Sequence, residues 1–448
     1  MPAAPLAFGG AATGRSDLGQ PHNVRPIFNN GEKARDVSPE QLLAIRQELW
    51  QVKALLWEKS HLKRVQTCGK KVVGKFASVK SGGVGKKAGF GGIETCGSIS
   101  SCPSCAKRIS SERSDEIARA VTEWTGRGRS VGFLTFTMRH FKGQSLERNW
   151  EQGLQAAWSR VVSSRVYKEG FVSKKNPLKN RMSIKSSYGI QGYIRVIEVT
   201  YSEESGWHPH FHCLFFFEEK LSDAEVKELG GELYDLWADA LEKLGFPKPF
   251  RTVKQEDGSL KLLGVDARVV VDGALALGQY FAKSIYPIGT KTQTATRIGT
   301  EMSMGSTSKH ARFDGLTPFQ LLKYFVETGD LPSIFPGHPS ALELWHEWEQ
   351  VSKGKRIFVW SDGLRALLGF SKNERTDDEI SADDAGGVEL VLIPSRQWAM
   401  LIKYRLWLLP LILGWADADP TGKKLKEQLD HYEVEWINPP QVRLQAVA

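Results

Sequence analysis

Cysteine is scarce in this chain, with five residues in 448, and an odd number excludes a fully paired disulfide framework of the secreted kind. No secretory leader opens it, because Met1–Gly14 is a run of small residues without a basic start and apolar centre. Long apolar runs are also missing. The most apolar stretch, Ala399–Ala416, contains Lys403, Arg405 and Pro410, whereas a membrane span needs about 20 mostly apolar residues, so one or two buried helices are expected there. No internal repeat is present. Gly82–Lys87 resembles a phosphate loop but lacks the leading glycine spacing and the Ser or Thr after lysine, which leaves no ATPase motif. These absences point to a cytoplasmic protein without a membrane partner.

What is present is positive charge. Sixty Lys and Arg face 51 Asp and Glu, a net charge of +9 with a pI near 9.1, which suits an anionic partner such as nucleic acid. Residues 1–38 are rich in Gly, Ala, Pro and Asn and read as a disordered arm. Helical spacing of Leu42, Leu49, Val52 and Leu56 marks a helix over Pro39–Leu62, opening a basic, cysteine-bearing element at 39–125. A catalytic domain is expected at 126–330. Within it, strands are read at Ser130–Thr137, Tyr188–Thr200, Trp207–Phe217 and Val265–Val271, and helices at Ser145–Tyr167, from Ser222, over Asp272–Tyr286 and over Pro318–Glu327. A helical extension at 331–373, an acidic linker at 374–387 and a mainly helical C-terminal segment at 388–448 complete the division. The fold class read from this pattern is α+β.

The most informative stretch is Trp207-His208-Pro209-His210-Phe211-His212-Cys213-Leu214. Residues two apart in a strand share a face, so His208, His210 and His212 project together and Cys213 points the other way. Glu198 lies on the preceding strand. Folding the two as a hairpin about Tyr201–Gly206 brings it opposite His208 or His210. Imidazoles and a carboxylate on one face form an open site for a divalent cation, with positions left for phosphate oxygens. A polar strand face is the bland alternative, and three histidines in register with a facing carboxylate weigh against it.

Cys102-Pro103-Ser104-Cys105 has the two-residue spacing of a zinc knuckle, with Cys96 and Cys68 upstream and His61 as a substitute ligand. A redox pair or buried free thiols are the alternatives. Lysines crowd this element, among them Lys70, Lys71, Lys86 and Lys87, and are candidates for tracking a phosphate backbone.

His210-Phe211-His212 resembles the histidine–hydrophobic–histidine motif of the HUH endonuclease superfamily, and Trp207–Leu214 resembles its plasmid rolling-circle initiators of Gram-positive and actinobacterial type. Phe133–Thr137 is similar to that family's first motif, and Tyr280-Phe281-Ala282-Lys283 to its third. The resemblance covers motifs between Thr67 and Leu322. It implies an antiparallel sheet flanked by helices and a Cys-rich zinc element ahead of the first motif. It also implies Mg²⁺ or Mn²⁺ at Glu198, His210, His212 and His208, and structural Zn²⁺ at the cysteines. Tyr280 would attack the scissile phosphorus with Lys283 offsetting charge, leaving a 5′-phosphotyrosine and a free 3′-hydroxyl. Tyr286 stands as a second candidate nucleophile. Ala276 departs from relatives that carry a glutamate one turn before the tyrosine. Asp272, Glu301 and Tyr286 are then the candidates to activate water at termination.

The implied partners are double- and single-stranded plasmid origin DNA, a host helicase and a DNA polymerase, with a homodimer left open. Alternatives are a transposase or relaxase of the same superfamily, a two-histidine-one-carboxylate iron oxygenase, or a non-enzymatic zinc-dependent DNA-binding regulator.

Overall fold

The computed structural model describes residues 38–82, 87–170, 182–254, 260–270, 315–329, 339–371, 373–383 and 387–440. Helix α1 (Pro39–Lys59) starts at a capping box in which Ser38 and Gln41 satisfy each other's backbone N–H groups, with proline at the first turn. It feeds two cores: Val52 and Leu56 join the larger one, and Trp50 the smaller. Strands β1 (Phe76–Lys80) and β2 (Gly89–Gly91) follow, and then α2 (Pro103–Gly126), a 24-residue helix that begins at Cys102.

β3 (Ser130–Phe136) leads through a π-helix, Arg148–Gln155, into α3 (Ala156–Ser163). The long hairpin β4 (Ile190–Ser202) and β5 (Gly206–Phe217) precedes α4 (Asp223–Lys243). β6 (Thr252–Lys254) pairs only with β7 (Leu260–Leu262) among the described strands, and β8 (Val265–Val269) returns to the main sheet. Helices Pro318–Thr328 and Ala341–Ser352 lead to β9 (Phe358–Trp360). After β10 (Glu389–Pro394) come α5 (Ser395–Tyr404), α6 (Leu408–Ala418) and α7 (Lys423–His431).

The main sheet is antiparallel with the order β8-β3-β5-β4-β9, which confirms the α+β class and puts the histidine strand at its centre. One face carries Phe136, Phe211 and Phe215, packed against Trp158 of α3, with Phe136 also against Trp237 of α4. Cys213 shares this face and is fully buried. On the opposite face Phe216 meets Trp124 of α2 edge-on, and the Trp124 indole N–H donates to the Phe217 carbonyl at 2.8 Å. The histidines share that second face.

A smaller sheet, β10-β1-β2, joins the N-terminal element to the C-terminal segment, with Phe76 opposite Pro394. Trp50, Phe90 and Trp398 lock it to α6 through Leu408, Leu409 and Ile412. The described residues 388–440 are therefore helical with one strand, and they pack on the N-terminal element. Among the described residues no single helix is long and apolar enough to cross a membrane. The pair α5 and α6 is bent by 118°.

Two sequence expectations differ in detail. Ser145–Tyr167 is interrupted because Ser164 adopts an extended conformation and caps a separate turn, Arg165–Lys168, by accepting from the Tyr167 N–H. The acidic stretch read as a linker contains the helix Asp377–Ala382, nucleated by a Thr376/Glu379 capping box. Arg113 on α2 binds Glu374 and Asp377 across that contact, so charge that looked solvated is paired. The helix expected over Asp272–Tyr286 lies outside the described residues.

Candidate metal centre

β4 and β5 pair with Glu198 directly opposite His210 and with Val196 opposite His212. The register selects His210 over His208 as the residue facing the carboxylate. Glu198 Oε2 lies 2.7 Å from His212 Nε2 and 3.3 Å from His210 Nε2, and the two Nε2 atoms are 3.0 Å apart. All three ligand atoms fall within 4.8 Å of one another. Two nitrogens about 2.1 Å from one cation at a right angle would sit about 3.0 Å apart, so the spacing suits adjacent positions on a divalent ion.

The surroundings fix this arrangement. Thr135 on β3 pairs with His212, and its hydroxyl lies 3.1 Å from His212 Nδ1, orienting the ring so that Nε2 faces the carboxylate. Phe133 stacks on the same imidazole, with ring centroids 5.5 Å apart. Burial pushes the His212 imidazole below its usual pKa, which favours the neutral, ligating form. Burial alone would raise Glu198, but the hydrogen bonds and charges of His210 and His212 outweigh it and hold the carboxyl well below the usual range. A carboxylate beside the neutral His212 imidazole is the ionisation state a cation needs.

Three residues extend this centre in different ways. His208 lies outside the three-residue cluster, and its ring stacks on His140 at 4.6 Å and lies 5.0 Å from the His210 ring. His140 was not anticipated, because it follows β3 in a loop without periodic signal. Its Nδ1 lies 3.3 Å from the Met138 carbonyl, and its buried Nε2 has no partner among the described residues. Burial lowers its pKa as well. Arg268 on β8, opposite Phe133, was also missed. Its guanidinium lies 5.1 Å from the Phe133 ring and adds positive charge that lowers His212 further.

The second cluster is closed and made of sulfur. Cys68 follows the short helix Lys63–Thr67, Cys96 sits beyond β2, and Cys102 and Cys105 lie at the N-terminus of α2. The Sγ separations are 3.6 Å for Cys68–Cys102, 3.8 Å for Cys68–Cys105 and 3.6 Å for Cys96–Cys105. A tetrahedron with Zn–S bonds of about 2.3 Å has S···S edges of about 3.8 Å, so the four thiols fit Zn²⁺. The α2 N-terminus and the buried Lys53 favour thiolates there, and the thiolates in turn raise the Lys53 pKa against the effect of its burial. His61 is not part of this cluster and stacks on His346.

Comparison with known proteins gives two relatives. A Streptomyces lividans protein named "Protein rep" is 27% identical over 334 residues, covering 67% of this chain and 70% of its own length. A Streptomyces cyanogenus protein named "Neomycin resistance protein" is 31% identical over 136 residues, covering 28% of this chain and 30% of itself. No protein-family model and no solved structure matches the chain.

The structure thus brings Glu198, His210 and His212 into one cluster and Cys68, Cys96, Cys102 and Cys105 into another. Lys70 lies over the Trp57 ring at 5.1 Å, while Lys71 and Lys87 are exposed. Lys86, Ala276, Tyr280, Lys283 and Tyr286 lie outside the described residues, as do Asp272 and Glu301.

Proposed function

We propose that this protein initiates rolling-circle replication of a plasmid by nicking one strand of origin DNA through a tyrosine. The observation that carries the reading is the convergence of Glu198, His210 and His212 on the central hairpin of an antiparallel sheet. Similarity to the Streptomyces lividans protein named "Protein rep" supports the same reading.

A divalent cation such as Mg²⁺ or Mn²⁺ supplies polarisation of a non-bridging phosphate oxygen when bound at such a centre. The chain's own groups do the rest. Thr135 and Phe133 hold the His212 ring, and Arg268 adds positive charge near that imidazole. The Tyr280 oxygen attacks phosphorus as its proton passes to solvent water. The bond from phosphorus to the 3′ oxygen breaks, and that oxygen takes up a proton to become the hydroxyl that a polymerase extends. Lys283 offsets negative charge in the transition state. The cysteine cluster holds Zn²⁺ and braces α2 against the sheet, and a host helicase opens the duplex.

Incubation of the protein with supercoiled plasmid carrying its origin and Mn²⁺ tests this. Nicked circles with protein bound to the 5′ end are expected, and Tyr280→Phe should abolish both. Nicking that survives in Tyr280→Phe and disappears in Tyr286→Phe would move the nucleophile. Intact supercoils with the wild type would reject the reading.

A further inference from the structure

The loop after β3 carries a second feature beside the metal cluster. Among the described residues, Phe141 and Phe250 are large apolar side chains exposed to solvent, at 43% and 52%. The Arg139 guanidinium lies over both rings, 4.5 Å from the Phe250 centroid and 5.7 Å from that of Phe141. Among the described residues no carboxylate pairs with Arg139. Nearby cations on the same rim do have acidic partners: Lys248 binds Asp239 and Glu242, and Arg251 binds Asp235.

This group is tied to the cluster through the next residue. His140 stacks on His208, and His208 neighbours His210, so aromatic faces run from the Phe141 loop to the Glu198–His210–His212 group. The loop also presses on the hairpin end. A Cβ at Gly206, where φ is +77°, would lie 3.4 Å from Lys142 Cα and from the Phe141 carbonyl oxygen. The Phe141 N–H donates to Gln144 Oε1 at 2.9 Å, which closes the loop on itself.

We propose that Arg139, Phe141 and Phe250 form a platform on which unpaired bases of a single DNA strand stack while its backbone passes to the metal cluster. This rests on the nickase reading for the identity of the polymer. Exposed aromatic rings with an unneutralised guanidinium over them match a strand that offers π-faces and negative charge together. A duplex keeps its base faces stacked on one another and offers only edges and backbone. The platform therefore discriminates for strand already separated, which is the form a nicking tyrosine must meet.

The test uses the full chain, a fluorescently labelled oligo-dT and a labelled duplex of equal length, with no Mg²⁺ or Mn²⁺ added. Phe141→Ala and Phe250→Ala should each raise Kd for oligo-dT about ten-fold, from the typical contribution of one stacked base. Duplex affinity should stay within about two-fold, and thermal melting should be unchanged because both rings are exposed. Phe141→Tyr should restore binding, and Arg139→Lys, which keeps charge but loses the planar face, should weaken it. Unchanged oligo-dT affinity in the double alanine variant overturns the platform. Equal weakening toward duplex overturns it too, by making the contact one of backbone charge. Failure of the nickase reading is separate: wild type would bind oligo-dT in the same way yet leave origin plasmid uncut.

Discussion

The two ligand clusters of this molecule are opposites. Cys68, Cys96, Cys102 and Cys105 are each at most 3% exposed, enclosed by α1, α2 and neighbouring loops, with every corner of a tetrahedron taken by sulfur. Glu198 and His210 are partly open, and their cluster presents two nitrogens and one oxygen on a sheet face. A closed thiolate set can hold an ion but admits no substrate, so its work is mechanical. An open set of nitrogen and oxygen ligands leaves positions for phosphate. One helix links the closed cluster to the sheet that carries the open one: α2 begins at Cys102 and Cys105 and brings Trp124 against Phe216 and Phe217, about 30 Å away at 1.5 Å per residue.

The largest expected effect lies at the cysteines. Cys102→Ser or Cys105→Ser should remove one equivalent of zinc and lower Tm by more than about 10 °C, because binding of a structural zinc contributes folding energy directly. His210→Ala should keep the zinc and most of the melting temperature while lowering metal-dependent cleavage by more than about 100-fold. Metal analysis, melting and cleavage on the same preparations separate the two sites. Equal collapse of both variants would break the distinction and make the histidines structural.

The parts legible in the sequence share one property: their signal is local. Alternation over Trp207–Phe217 and the short turn before it were enough to face Glu198 toward the histidines, and cysteine spacing was enough to gather the sulfurs. The pairing of β1 with β10 joins residues more than 300 positions apart, and nothing near Phe76 or Pro394 announces it. β9 is a three-residue edge strand whose place beside β4 depends on Trp360 meeting Ile194. His140 lies in a loop, and Arg268 reads as an ordinary charge on a strand until β8 docks on β3. The Asp377–Ala382 helix did carry a local signal in its Thr376/Glu379 box, but the surrounding acidic residues read as a solvated linker because Arg113 lies far away in sequence.

Acid should sharpen the contrast between the two regions. Burial lowers His212, so below the ordinary imidazole range, about pH 6.5, the unfolded chain takes a proton that the folded chain refuses. Stability from this group is full above that range and declines as pH falls toward the depressed folded value. Glu198 is also depressed, by its histidines against the effect of burial, and its contribution is lost on further acidification below the usual carboxylate range. Wild-type Tm should therefore fall in two stages between about pH 7 and pH 3. His212→Gln should reduce the slope of the first stage, and His140, which burial lowers in the same way, should carry what is left of it. Mn²⁺ affinity should weaken over the same range as protons compete for the imidazoles. A first stage of unchanged slope in His212→Gln would assign the acid sensitivity to other groups.

The smallest expected effect isolates how far the open site depends on its supports. Thr135→Val keeps the shape of a β-branched side chain on β3 and removes the hydroxyl 3.1 Å from His212 Nδ1. The ring would still stack on Phe133 and remain buried, so Tm should move by no more than a few degrees. What changes is the ring's freedom to rotate and the basicity of Nε2, since a partner on one imidazole nitrogen fixes the tautomer presented by the other. Supporting contacts of this kind typically carry about 10- to 100-fold in metal affinity. Isothermal titration with Mn²⁺ should show affinity about ten-fold weaker in Thr135→Val, with cleavage falling by a similar factor at limiting metal and recovering at saturation. Thr135→Ser, which keeps the hydroxyl, should bind Mn²⁺ as wild type does. Unchanged affinity in Thr135→Val would mean that Phe133 and Glu198 suffice to orient His212. Loss in both variants would make the methyl group's packing, rather than the hydrogen bond, the support that matters.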